Sequence, residues 1–335
     1  MRRKLRPLLL ALGAVMVLAG FACLLFTKSK PAPPPPLPNP NGYDDFVSAG
    51  QMRTGQWVDY QTATEEEMRA YVMTNTAALA QVRIGLSREC RVPFDFAVTN
   101  TLGNLPELKT LANLLATEGR LAELEHRPVD AVRSYVDAIR LGNECSRGGF
   151  IIHRLVGLAA EAIGYNQLIK LVPTLNCDQM RPLIADLEQV DAHGVTWEEV
   201  RQNERLYMHH QMRKSVNPLQ WLVGWWQMRP AMRKAEAKHN RMVARRRLLT
   251  VELALRCYQQ DQAGGPASLD QLVPKQLPRI PTDPFTGQPL IYRAQGTNWL
   301  LYSVGLDGVD DGGKPVGRTV SGTAATGDLF FDSPW

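Results

Sequence analysis

Apolar residues run without a charge for 19 positions from Leu8 to Phe26, about the length a helix needs to cross a bilayer. Prolines follow at Pro31, Pro33 to Pro36, Pro38 and Pro40, a stiff spacer rather than a ligand motif. From about Thr64 to Val172 apolar residues recur at helical spacing with Pro and Gly breaks, most clearly in LANLLATEGRLAELEHRPVDAVRSYVDAIRL. Further helices are predicted around Ile151 to Val172 and Met180 to Val190, and residues 200–247 read as helices interrupted at Asn217-Pro218 and Arg229-Pro230. A helix over Arg245 to Gln260 stops at Gly264, Gly265 and Pro266. The pattern then changes: a DPFTG turn at Asp283 to Gly287, strands at Pro289 to Arg293 and Trp299 to Val304, and the loop GLDGVDDGG. The expected fold class is α+β, divided into a tail (1–7), a transmembrane anchor (8–26), a proline-rich linker (27–42), an α-helical domain (43–244) and a small α+β module with an antiparallel sheet (245–335).

Charge supports this division. Residues 1–30 hold six basic groups and no acid, which leaves 32 basic against 33 acidic groups in the rest, so the net charge of +5 belongs to the targeting segment and does not call for nucleic acid. The bases before the apolar run favour a cytoplasmic N-terminus, a single span of a bacterial inner membrane and an exported, periplasmic bulk. The run is longer than a signal-peptide core, which favours an uncleaved anchor. Cys23 reads as a membrane-embedded thiol, while Cys90, Cys145, Cys177 and Cys257 lie where disulfides persist, with three pairings open.

Candidate chemistry upstream is sparse. His153 and Glu161 sit in the most apolar helix and read as satisfied core groups. Residues 200–247 carry 12 bases and two acids, with Trp221, Trp225 and Trp226 among them. These tryptophans could touch a lipid surface, but the favoured reading puts them in the core, with the bases docking on the acidic helices of the same chain. His209, His210 and His239 lack a carboxylate at metal-ligand spacing and read as solvated. No G-x-S-x-G, H-E-x-x-H or nucleophile–base pair is legible.

Two resemblances add to this. Leu115, Gly119, Ala131, Tyr135 and Ala138 fall on spacings that resemble a tetratricopeptide repeat, with Glu118 departing from the pattern at a usually apolar position. Residues 245–332 resemble the C-terminal half of the major pseudopilin of type II secretion systems, on the strength of DPFTGQPLIY, LLYSVGLDGVDDGG and the closing GDLFF. That resemblance implies a calcium loop built from Asp307, Asp310, Asp311 and Asp328, with carbonyls near Ser303 and Val304. Carboxylates separated by glycines also suit calcium on chemical grounds. The chain departs from the family where processing occurs: Gly20-Phe21 lies late in the apolar run and no glutamate follows, which argues against a polymerising subunit. The expected function is a non-enzymatic, membrane-anchored scaffold or adaptor with protein partners on its helical surface, linked to type II secretion-like or pilus-like machinery. An exported hydrolase is the alternative.

Overall fold

Asn41 opens the first described helix. Its Oδ1 accepts from Tyr43 N (3.2 Å) and Arg91 N (2.9 Å), and its Nδ2 donates to Arg91 O (2.9 Å). One side chain therefore caps α1 (Gly42–Met52) and ties it to the segment after α3 (Thr76–Leu86). Between them α2 (Glu65–Thr74) begins with a reciprocal cap: Thr64 Oγ1 accepts from Glu67 N at 3.3 Å, and Glu67 Oε2 accepts from Thr64 N at 2.8 Å. The computed structural model describes residues 35–93, 102–214, 218–262, 264–317 and 326–334. The expected tail, the apolar run 8–26, most of the linker and the side chains of Trp221 and Trp225 lie outside that description. Among the described residues no helix is long and apolar enough to cross a membrane.

The helical repeat pattern becomes an antiparallel hairpin of α4 (Leu105–Leu124) and α5 (Pro128–Glu144). His126 makes the turn with a left-handed φ of 56°, while His126 N donates to Glu123 O and Arg127 N to Ala122 O, the bonding that closes a helix C-terminus. Gly119 faces the Tyr135 ring, where a Cβ would come within 2.8 Å of Cδ1. Glu118, the apparent exception in the pattern, has a partner for each oxygen: Arg83 Nη1 at 3.1 Å, and Arg83 Nη2 and Ser134 Oγ at 2.5 and 2.7 Å.

Next, α6 (Ile151–Leu171) packs antiparallel on α5 through Gly142, Gly157 and Gly164, with backbone facing backbone. A 3-10 turn and an Asn176–Gln179 reciprocal cap lead into α7 (Cys177–Ala192), followed by α8 (Trp197–Lys214) and the long α9 (Pro218–Gln262). The interruption expected at Pro230 does not occur. Trp226 and Pro230 lie on an exposed face, so water can reach the carbonyl that the proline leaves without a donor, and the helix continues.

The strands form one antiparallel hairpin, β1 (Ile291–Gln295) and β2 (Asn298–Tyr302), in the register Ile291↔Tyr302 to Gln295↔Asn298. Gly296 supplies a positive φ of 65° at the first position of the two-residue turn, which suits the twist of the strands. The first strand starts two residues later than predicted because Pro289 bridges to Thr282, and Ser303 leaves the hairpin to bridge to Leu329. Trp299 Nε1 donates to Glu252 Oε2 at 2.8 Å, fixing the hairpin to α9. Leu269, Leu272, Leu277, Leu290 and Leu301 share one core with residues of α4 to α7 and α9. Residues 36–335 gather into one compact unit, and the boundary expected at 244 falls within α9. All four described cysteines are buried free thiols, and Cys257 Sγ lies 4.0 Å from the Cys177 carbonyl oxygen.

Candidate functional site

The aspartate loop joins β2 to the C-terminal segment, and its closure rests on backbone donors. Gly305, with φ of 71°, lets the chain approach Gly327 O so closely that a Cβ would sit 2.8 Å away. Asp307 accepts from Val309 N (3.2 Å) and Gly327 N (3.4 Å). Asp328 is fully buried, accepting from Gly313 N at 2.6 Å and Asp311 N at 3.4 Å, and burial pushes its carboxyl above the usual range. Asp310 accepts from the Tyr302 hydroxyl (2.7 Å) and Gly312 N (2.8 Å) and pairs with Arg293 Nη2 (2.9 Å); the hydroxyl above all holds its carboxyl below the ordinary value. Upstream, Asp283 of the DPFTG turn is buried and accepts from Phe285 N and Val304 N, so it staples the turn to the end of β2.

Asp307, Asp310, Asp311 and Asp328 are thus brought into one loop. Among the described residues no group of three or more histidine, cysteine or acidic side chains is arranged to hold a metal ion. Asp311 Oδ2 is the exception within the loop, since it is buried without a hydrogen-bond partner among the described residues. Asp311 beside Asp328 fits one side of a calcium shell, whereas Asp310 is committed to Arg293 and Tyr302.

A second feature was not legible as a site. Between α3, α5 and α7 lies a groove of about 710 Å³. Its floor is apolar, with Leu86 from α3, Val129, Val132 and Val136 from one face of α5, and Leu183 from α7. Val129 is 62% exposed in it. Charges of both signs form its walls. Arg83 is held between Glu118 and Asp137, Arg140 Nη2 donates to Leu86 O at 3.0 Å, and Arg133 and Asp178 stand at the rim. No histidine lines it. Val129, Val132 and Val136 recur at helical spacing, a pattern that reads equally as a core face until α3 and α7 are placed beside it.

The histidines of the apolar interior are engaged elsewhere. Glu161 is fully buried, with Oε1 2.6 Å from Arg154 Nη1 and Oε2 2.6 Å from Arg246 Nη1. Arg154 Nε donates to His239 Nδ1 at 3.0 Å, so His239 is an acceptor there. The expectation that His239 is solvated therefore fails: it is 4% exposed, and burial followed by the Arg154, Arg246 and Arg247 charges pushes its pKa down to about 2. His153, expected as a satisfied core group, is buried and accepts from Phe150 N at 3.2 Å, but its Nε2 has no hydrogen-bond partner among the described residues, and burial lowers its pKa to about 4. The expected docking of the basic segment on the acidic helices is seen in Arg246 with Glu161 and in Arg247 Nε with Asp191 Oδ2 at 3.0 Å. Trp226 departs from the core reading, since its side chain is 69% exposed.

No family model, curated protein or solved structure matches the chain.

Proposed function

We propose that the chain is a membrane-anchored, extracytoplasmic scaffold or adaptor that holds a segment of a partner protein in the groove between α3, α5 and α7. The observation that carries this reading is the groove itself: an apolar floor of three valines at helical spacing, walled by charges of both signs, is the surface that takes the apolar face of a partner helix. The groove has no histidine, and the two histidines nearest the core are buried and hydrogen-bonded. The resemblance of the C-terminal module to a pseudopilin points to secretion-like or pilus-like machinery as the setting.

A photo-crosslinking residue at Val129 in intact cells tests the groove. The expected result is one discrete protein adduct, lost when Arg133→Glu is added and not formed from Met73, which is 70% exposed on α2. Turnover of ester, peptide or phosphodiester substrates by the purified chain would replace this reading with the hydrolase.

The calcium loop belongs to the same proposal as a stabilising element. Asp311 and Asp328 would hold the calcium, whose charge would offset the two carboxylates and stabilise the closed loop. At ten times its Kd the ion adds about 1.4 kcal/mol to stability. The melting temperature of the chelated full chain is therefore expected to rise on adding calcium, and Asp311→Ala should abolish the rise. An unchanged melting temperature leaves the loop closed by its own hydrogen bonds.

A further inference from the structure

The first half of α9 has two unlike faces. Ala235, His239, Met242 and Val243 are buried against the body of the protein. On the other side Trp226, Arg229, Arg233, Lys234 and Lys238 are all exposed, at spacings of three, seven, eight and twelve residues from the tryptophan. Those intervals put them along one side of the helix. Glu236 is the one acid between 218 and 247, and among the described residues no carboxylate pairs with Arg233, Lys234 or Lys238. A large indole standing in solvent next to four cations is a poor solution for a surface that meets only water.

We infer that this stripe docks the folded body onto the anionic phospholipid headgroups of the bilayer that holds its anchor. The inference rests on the anchored reading given above, because the anchor keeps the stripe within reach of lipid: the spacer after residue 26 spans at most about 3.1 Å per residue, and tethering turns docking into an intramolecular step. Chemistry selects lipid. The cations pair with phosphates, each strengthening docking about fivefold near an anionic surface, while the indole of Trp226 enters the headgroup boundary with its apolar body.

The test uses the full chain reconstituted into vesicles of phosphatidylcholine alone or with phosphatidylglycerol, each doped with brominated phosphatidylcholine that quenches nearby tryptophan. The apolar run 8–26 contains no tryptophan, so the anchor is silent. Quenching is expected to be strong in the anionic vesicles, to fall with salt, to weaken in Trp226→Phe, and to drop to the zwitterionic level in the triple variant Arg233→Gln, Lys234→Gln, Lys238→Gln. Three charges at that magnitude shift the docked-to-free ratio on the order of a hundredfold or, with partial screening, about tenfold. These side chains are exposed, and an unchanged thermal melt of the triple variant excludes misfolding as the cause. Equal quenching in the two vesicle types, or no effect of the triple variant, overturns the inference. Retention of a labelled oligonucleotide by the wild type and not by the triple variant would assign the stripe to nucleic acid and overturn it as well. Alkaline carbonate extraction reads the anchor separately: a chain released by carbonate fails the anchored reading, and the stripe is then judged by flotation of that chain with added vesicles.

Discussion

Glu161→Ala is expected to lower the unfolding free energy by about 3–5 kcal/mol, the cost of leaving buried charge uncompensated. Each carboxylate oxygen of Glu161 holds one guanidinium, Arg154 from the same helix and Arg246 from α9, and all three side chains are at most 2% exposed. Removing the carboxylate leaves two cations facing each other in the interior. Little else can absorb them. Arg154 Nη2 and Arg246 Nε have no partner among the described residues, Ser146 Oγ (3.2 Å from Arg154 Nη1) and His239 are neutral, and Asp191 is 3.7 Å from Arg246 at the edge of the network. Protonating His239 would put a third positive charge in the interior, so burial first and the neighbouring guanidinium groups second keep it neutral. Urea unfolding of the full chain followed by circular dichroism measures the loss. Glu161→Gln keeps the volume and one acceptor and should fall between wild type and alanine. The triple replacement Arg154→Met, Glu161→Leu, Arg246→Met should recover most of the stability, since it removes the charges together. A loss below about 1 kcal/mol for Glu161→Ala would mean that water reaches the network.

This network also shows where the sequence stops being informative. The helices from 105 to 171 could be read because their apolar periodicity is a local property, and the β-hairpin could be read because its turn residues are local too. Glu161 and Arg246 are 85 positions apart, and nothing in a single sequence pairs one of twelve bases in a segment with one glutamate in another helix. The same limit applies to the groove, whose walls come from three separate helices. Pro230 misleads for a different reason. A proline removes one hydrogen bond, but on an exposed face of a helix anchored by residues further along, that loss is not enough to end it. The aspartates were legible as a cluster, yet the direction of each carboxylate depends on which neighbour reaches it first. Arg293 and Tyr302 claim Asp310, while Asp311 is left with an unpaired oxygen.

Gly157→Val is expected to cost about 3 kcal/mol, the upper end of what overpacking a close contact produces. At the crossing of α5 and α6 a Cβ on Gly157 would overlap Gly142 O and come within 2.8 Å of Ser146 Cβ, and a Cβ on Gly142 would come within 2.6 Å of Glu161 N. Glycine is a poor helix former, so replacing it should gain up to about 1 kcal/mol in propensity. The steric term wins because the obstacles are backbone atoms of a packed neighbour, which cannot rotate away as a long side chain does. Gly157→Ala separates the two effects: it has the full propensity gain and the smallest added volume, and should still be destabilising in urea unfolding. A neutral or stabilising Gly157→Ala would mean that α5 and α6 can separate freely. The crossing is also coupled to the buried charges, because Ser146, which the new side chain would displace, is hydrogen-bonded to Arg154. Gly157→Val should therefore cost less in the background lacking Arg154, Glu161 and Arg246 than in the wild type, with a coupling of about 0.5–3 kcal/mol for sites in contact. That coupling would tie the glycine spacing of α6 to its ion network: the helices approach closely enough to seal the charges from water, and the charges fix the register in which the glycines meet.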